Sequence, residues 1–138
     1  MVLDTNVVSE LMRPEPDANV LAWLNNQPAD TLWLSSVVVS ELLYGVARLP
    51  DGKRRAQLAL AVQAMLAEDF AGCVLPFDLE AAVVYADLVA MRERQGQPID
   101  VADAQIAAIC LAHGATLITR NTKHFEGVGL TLTNPWVA

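Results

Sequence analysis

The sequence is poor in the residues that most enzyme chemistries need. Two cysteines and two histidines are all that its 138 residues supply. Cys73 and Cys110 belong to no CxxC pair and no zinc-type spacing, and both sit in apolar stretches, so buried reduced thiols in a cytosolic protein are the simplest account. With His113 at a helix end and His124 in a loop, Ser/His/Asp and Cys/His catalysis find no partners. Glycine is scarce too, and no GxGxxG or Walker sequence offers a phosphate cradle. Asp4 arrives before any apolar run could follow a basic region, so no signal peptide is expected. The most apolar long segment, Leu58 to Leu75, is broken by Gln63, Glu68 and Asp69, which excludes a membrane span and leaves the cytoplasm as the expected location.

Positive charge is also short: nine Lys and Arg face sixteen Asp and Glu, a net charge of −7. At first sight this argues against nucleic-acid binding, since phosphate contacts need cations. Part of the acid excess, however, would be acid gathered around a cation. The bases cluster as Arg48, Lys53, Arg54 and Arg55; as Arg92 and Arg94; and as Arg120, Lys123 and His124. Each cluster taken alone reads as a solvated helix face or loop end.

What is abundant is apolar surface. Hydrophobic residues make up 54% of the chain and charged residues 18%, enough for a rich core and for a partner covering part of the surface. The length suits one domain over residues 1–138, which needs neither disulfide nor metal to fold. No repeat, low-complexity tract or linker interrupts it.

Taken in order, Met1–Leu3 reads as a buried strand ending at Asp4, and Thr5–Leu11 as a short helix stopped by Pro14 and Pro16. Asp17 caps a helix carrying Val20, Leu21, Trp23 and Leu24. Thr31–Leu34 is the second strand, followed by a helix capped by Ser35 or Ser36 and running to about Arg48. A second helix extends to Phe70, forming a hairpin with the first beside the sheet. Cys73–Phe77 is the third strand, and Asp78 caps a helix to about Gln95. Ile99–His113 follows as a helix with Asp100 as N-cap and Gly114 as C-cap. Thr116–Thr119 is the fourth strand, and Gly129–Thr133 a fifth, at an edge. Alternation of strands and helices predicts an α/β fold, a three-layer sandwich around a mostly parallel five-stranded sheet.

Four positions break the local pattern. Asp4 follows a strand directly, where sites form in open α/β sheets; its alternative reading is an N-cap. Thr5 and Asn6 can orient it by hydrogen bonding or serve as turn residues. Glu41 is the only charged side chain in Val37–Ala47, so it rides an apolar helix face, and a buried acid needs a partner charge, a metal or a proton; its alternative reading is a Glu at the rim of a helix buried nearly all round. Asp103 shares a stripe with Ile106, Ala107 and Cys110 in a helix's first turn, where an anion gains about 0.3–1 kcal/mol; its alternative reading is a capping-box-like acid paired with Asp100 as N-cap. Asn121 ends the fourth strand as Asp4 ends the first, and otherwise reads as a turn residue.

Two like charges about 4 Å apart repel by about 4 kcal/mol at an effective dielectric of about 20, so three carboxylates in one cavity need a cation. An all-oxygen set without His or Cys suits Mg²⁺, or Mn²⁺, rather than zinc. Such an ion polarises a phosphodiester and activates water for in-line attack at phosphorus. Asp4, Glu41 and Asp103 are thus the expected metal ligands and, with Asn121, the expected catalytic residues. Trp23, Trp33, Tyr44, Phe77 and Trp136 read as core or dimer surface, with base stacking as the alternative.

Leu3-Asp4-Thr5-Asn6, Ser40-Glu41-Leu42, Asp103-Ala104-Gln105-Ile106-Ala107-Ala108 and Leu117-Ile118-Thr119-Arg120-Asn121-Thr122, with His124-Phe125 and the closing Asn134-Pro135-Trp136, resemble the PIN-domain family. The similarity is to its VapC and FitB toxin branch and runs from the first strand to the last few residues. It implies a magnesium-dependent endoribonuclease acting on RNA. It also implies a homodimer, inhibited by a cognate antitoxin of VapB or FitA type that carries the pair to promoter DNA. Asp4, Glu41 and Asp103 match the family's core acids, whereas Asn121 stands where many members have a fourth Asp, which leaves one or two metals open. Asp100 is one turn before Asp103, and capping is its expected role.

Three other functions compete. A response regulator needs paired acids after its first strand and a late Lys, and a haloacid-dehalogenase phosphatase needs Asp-x-Asp where Asn6 stands. A binding module that kept the fold and lost the chemistry has Asn121 as its one hint. Antitoxin contact and dimerisation are expected on Val20–Leu24 and Val37–Leu58.

Overall fold

The computed structural model describes residues Met1–Ala138. Five short strands, β1 (Val2–Leu3), β2 (Leu34–Ser35), β3 (Val74–Leu75), β4 (Leu117–Ile118) and β5 (Leu132–Thr133), alternate with six helices. The helices are α1 (Thr5–Leu11), α2 (Ala18–Asn25), α3 (Ser36–Ala47), α4 (Lys53–Ala64), α5 (Leu79–Arg94) and α6 (Val101–His113). Every strand pair is parallel: β4 lies between β1 and β5, β2 pairs with β3, and a Val2–Trp33 bridge joins the two ladders. The order across the array is therefore β3-β2-β1-β4-β5, with helices covering the parallel strands in an α/β/α arrangement, as expected.

The elements form where local chemistry directs. Asp17, Ser35, Asp78 and Asp100 each accept backbone N–H bonds at the start of α2, α3, α5 and α6. Gly114 ends α6 with φ 61°, a left-handed conformation that costs a side-chain-bearing residue strain. The last turns after α4 widen into a π turn over Met65–Asp69. Strand residues Val2, Leu3, Leu34, Leu117 and Ile118 are fully buried with α6 residues Ile106, Ala107 and Cys110, which explains their apolar runs.

Two expectations about strands need correction. Residues 29–31 form a 3₁₀ turn instead of opening the second strand, because Pro28 starts the turn and accepts a 2.6 Å bond from the Thr31 hydroxyl. The ladder begins later, with Trp33 bridging to Val2 and Leu34 pairing with Val74. The third strand is likewise only Val74–Leu75, since the Phe77 N–H turns away to Ser36 Oγ. No helix is long and apolar enough to cross a membrane.

From β1 the chain winds through β2 to β3 on one side, then crosses to β4 and β5 on the other. Neighbouring connections therefore diverge between β1 and β4. In open α/β sheets the crevice that takes ligands lies at such a switch point, outside the carboxyl ends of the strands.

Candidate metal centre

Asp4 stands at that crevice. Its N–H donates to Ile118 O (2.9 Å), so its backbone still belongs to the β1–β4 ladder. Its side chain then begins α1: Oδ1 accepts from the Thr5 N–H at 2.8 Å. Oδ2 accepts from the Thr119 hydroxyl at 2.7 Å and from Asn6 Nδ2 at 3.5 Å. The cap and the site are thus the same carboxylate, only 6% exposed. Each oxygen retains lone-pair capacity beyond these bonds.

Thr119, fully buried, ties the crevice together. Its Oγ1 also accepts the Asn121 N–H (3.1 Å) and Asn6 Nδ2 (3.4 Å), while Asn6 Oδ1 accepts the Arg120 N–H at 3.2 Å. Thr5 and Asn6 therefore do orient Asp4. In sequence the only signal of Thr119 is a β-branched hydroxyl residue closing a strand; its bond to Asp4 emerges only in the fold.

Glu41 reaches the same neighbourhood by a different route from the one expected. It is exposed, and the buried residues of α3 are Val38 and Leu42. An apolar run is not a buried run here, since Leu43 is 45% and Tyr44 66% exposed. Glu41 Oε1 accepts the Thr5 hydroxyl at 2.7 Å, one residue from Asp4. Thr5 and Glu41 line a groove of about 700 Å³ between α1, α3 and α4.

Asp103 fits its expected stripe, with Ile106, Ala107 and Cys110 fully buried behind it. Burial first, then the Asp4 charge, hold its carboxyl above the ordinary aspartate range; His124 opposes this, and Asp100 and Glu41 add to it. His124 Nδ1 stands 3.3 Å from Asp103 Oδ2, a pairing invisible in sequence. Asp100 accepts the Ala102 N–H at 3.2 Å, the capping role expected. Asn121 is exposed and contributes its N–H, not its side chain, to the network.

A further buried acid, Glu10, lies outside this group and is structural: it accepts from Arg13 Nη1 (3.2 Å) and the Asp17 N–H (3.0 Å), joining α1 to the start of α2. Cys110, behind Asp103, has its thiol pushed up to about 12 by burial and the Asp4 charge.

The carboxylates and hydroxyls suit a hard divalent cation, but the expectation of an all-oxygen set without histidine needs correction, because the fold brings His124 Nδ1 to 3.3 Å from Asp103 Oδ2. The side chains are not closed around a point, because no three Asp, Glu, His or Cys groups stand together at ligating spacing. Glu41 is instead engaged by Thr5 and Asp103 by His124.

Residues 1–129 match the model of the PIN domain. Over 136 residues, 99% of this chain and 97% of the relative, the sequence is 48% identical to "VapC ribonuclease Y4jK" of Sinorhizobium fredii. It is 38% identical to "Toxin FitB" of Neisseria gonorrhoeae over 136 residues, 99% of this chain and 98% of that one. In three dimensions it is similar to a chain of the FitAB complex bound to an IR36 DNA fragment, with a TM-score of 0.91, 38% identity and 98% and 94% of the two chains covered. The β1–β4 crevice with its acids and the match over residues 1–129 agree: this chain belongs to the PIN-domain family.

Proposed function

We propose that this chain, acting as one PIN domain over residues 1–138, is a metal-dependent endoribonuclease and the toxin of a VapBC-type pair. One observation carries the site assignment: Thr5 bonds Asp4 through its N–H and Glu41 through its hydroxyl, and burial, then the Asp4 charge, raise the Asp103 carboxyl, so acids distant in sequence meet near the strand switch point. Full-length likeness to a VapC ribonuclease and to toxin FitB supports the activity.

Asp4, Glu41 and Asp103 would hold Mg²⁺, with Mn²⁺ as the substitute. Bound there, the ion supplies charge neutralisation, polarises a phosphodiester and lowers the pKa of water for attack at phosphorus. The chain's own groups do the positioning. The Thr5 N–H and the Thr119 hydroxyl hold the Asp4 carboxylate in one orientation. The Thr5 hydroxyl aims Glu41, and His124 aims Asp103. Asn121, held by its backbone at the crevice, offers a neutral amide to a phosphate oxygen, which leaves three core acids and favours a single ion.

The partners follow from the same likeness: a FitA- or VapB-type antitoxin, promoter DNA through that antitoxin, and a second copy of this chain. The exposed Leu43, Tyr44 and Leu60 of α3 and α4 are surfaces such partners would cover. We place the protein in the cytosol, with its RNA. The test is incubation of the purified chain with RNA and Mg²⁺ beside an Asp4→Asn variant and an EDTA control. Cleavage that survives the substitution removes this site. A silent PIN module is the second reading, motivated by the open spacing of the acids and the Asn at 121, and a wild type that leaves RNA intact at saturating Mg²⁺ selects it.

A further inference from the structure

The segment Arg120–Phe125 is fixed at several points. Phe125 is buried at its end, the Arg120 and Asn121 N–H groups donate to Asn6 and Thr119, and the His124 N–H donates to Asn121 O at 3.1 Å. From this rigid turn Arg120 and Lys123 project, both exposed. Neither pairs with a carboxylate, in a chain with sixteen of them.

The guanidinium of Arg120 lies 4.9 Å from the Trp136 ring centroid. Trp136 is itself tied down, its N–H donating to Asn134 Oδ1 (2.9 Å) and its carbonyl accepting from Asn19 Nδ2 (3.0 Å). A guanidinium laid on an indole loses little freedom on binding and keeps its edge donors for a bidentate phosphate contact. Lys123 lines a 280 Å³ cleft with Asp100, Asp103 and His124. Arg92 lines it too but is committed, its Nε to Gln97 O (2.7 Å) and its Nη1 to Glu126 O (3.1 Å).

A nucleic-acid strand crossing the acids brings a phosphate every nucleotide. The phosphates beside the reacting one still need cations, and the strongly acidic chain supplies few. We propose that the Arg120–Phe125 turn is the substrate's phosphate grip, with Arg120 on Trp136 and Lys123 in the Asp103 cleft taking phosphates that flank the one cleaved. Trp136 is a positioning residue acting through Arg120. The inference rests on RNA being the substrate.

The test uses a 5′-fluorescein-labelled, mixed-sequence 12-nucleotide RNA, cleaved with Mg²⁺ over a KCl series and bound in EDTA by anisotropy. Arg120→Ala and Lys123→Ala are each expected to raise KM about 5- to 10-fold with kcat held within about twofold. Each flattens the slope of log affinity against log salt by about 0.7, the value for one phosphate on a single strand. Trp136→Leu raises KM but leaves that slope alone, since the charge remains. Arg55→Ala, which removes an α4 cation already paired with Asp51, changes neither. Should Arg120→Ala fail to fold, Arg120→Gln reads the same slope. A wild type that cleaves, beside Arg120 and Lys123 variants with its KM and slope, overturns the grip and leaves the ribonuclease reading standing; so does Arg55→Ala flattening the slope as much as they do. A wild type that neither binds nor cleaves the RNA overturns both.

Discussion

The Asp4→Asn substitution takes one charge and one acceptor out of the crevice without changing its shape. An amide has a single acceptor oxygen where the carboxylate has two. Either the Thr5 N–H or the Thr119 hydroxyl then loses its partner, at a cost of about 1–3 kcal/mol. Working the other way, Asp4 is, after burial itself, the largest cause of the raised Asp103 carboxyl, so its removal relieves a repulsion. Because the two effects oppose, the metal-free variant should differ from wild type by no more than about 2 kcal/mol. An unfolding entropy of about 0.3 kcal/mol/K for 138 residues makes that at most about 7 °C in Tm. An ion present at a hundredfold excess over its Kd stabilises the wild type by about 2.7 kcal/mol, a rise of about 9 °C. In Asp4→Asn the rise should fall below about 2 °C, and RNA cleavage should fall at least about 100-fold. Circular-dichroism melts over a Mg²⁺ and Mn²⁺ titration, run beside the cleavage assay, measure both. A variant that keeps the wild-type metal shift refutes the reasoning, since the ion would then bind elsewhere.

Thr119→Val keeps the buried shape but strips Asp4 Oδ2 of its donor and the Asn121 N–H of its acceptor, so it should cost about 1–3 kcal/mol by denaturant titration, with Thr119→Ser restoring most of it. The folded Asp103 carboxyl titrates above its unfolded value of 3.8, so the metal-free protein loses stability as pH rises past that value. Asp103→Asn should accordingly melt above metal-free wild type at pH 7 and level with it near pH 3; equal melting at pH 7 counts against the shared field. The Cys110 thiol, pushed up to about 12 from 9.0, keeps its proton in the folded state while the unfolded chain gives it up, so stability should be lost between pH 9 and 12. At pH 8 native protein treated with iodoacetamide should carry label on half-buried Cys73 alone, by peptide mass spectrometry, and on Cys110 only after unfolding.

Much of the fold could be read from single residues because its signals are local. A cap needs only the next three residues, and Asp17, Ser35, Asp78 and Asp100 all act where the sequence places them. Thr31 differs from its expected place because the apolar run Leu32-Trp33-Leu34 that follows it looks like a strand, while Pro28 and a hydroxyl bond hold Thr31 in a 3₁₀ turn. In the site, Asp103 was legible since its charge interrupts a stripe that is truly buried. The burial expected of Glu41 does not hold, because exposed apolar residues look in sequence like core residues, and Tyr44 is open. Thr119 and His124 act on partners far along the chain, Asp4 and Asp103, and no local pattern encodes such pairings.

The central claim is that acids brought together by the β1–β4 switch point share one divalent ion. Anomalous diffraction from crystals of the protein grown with Mn²⁺ tests it most directly. One peak bonded to carboxylate oxygens of Asp4, Glu41 and Asp103, at about 2.0–2.2 Å, is the predicted result. No peak in the crevice at saturating Mn²⁺, or a peak held by other side chains, would contradict it.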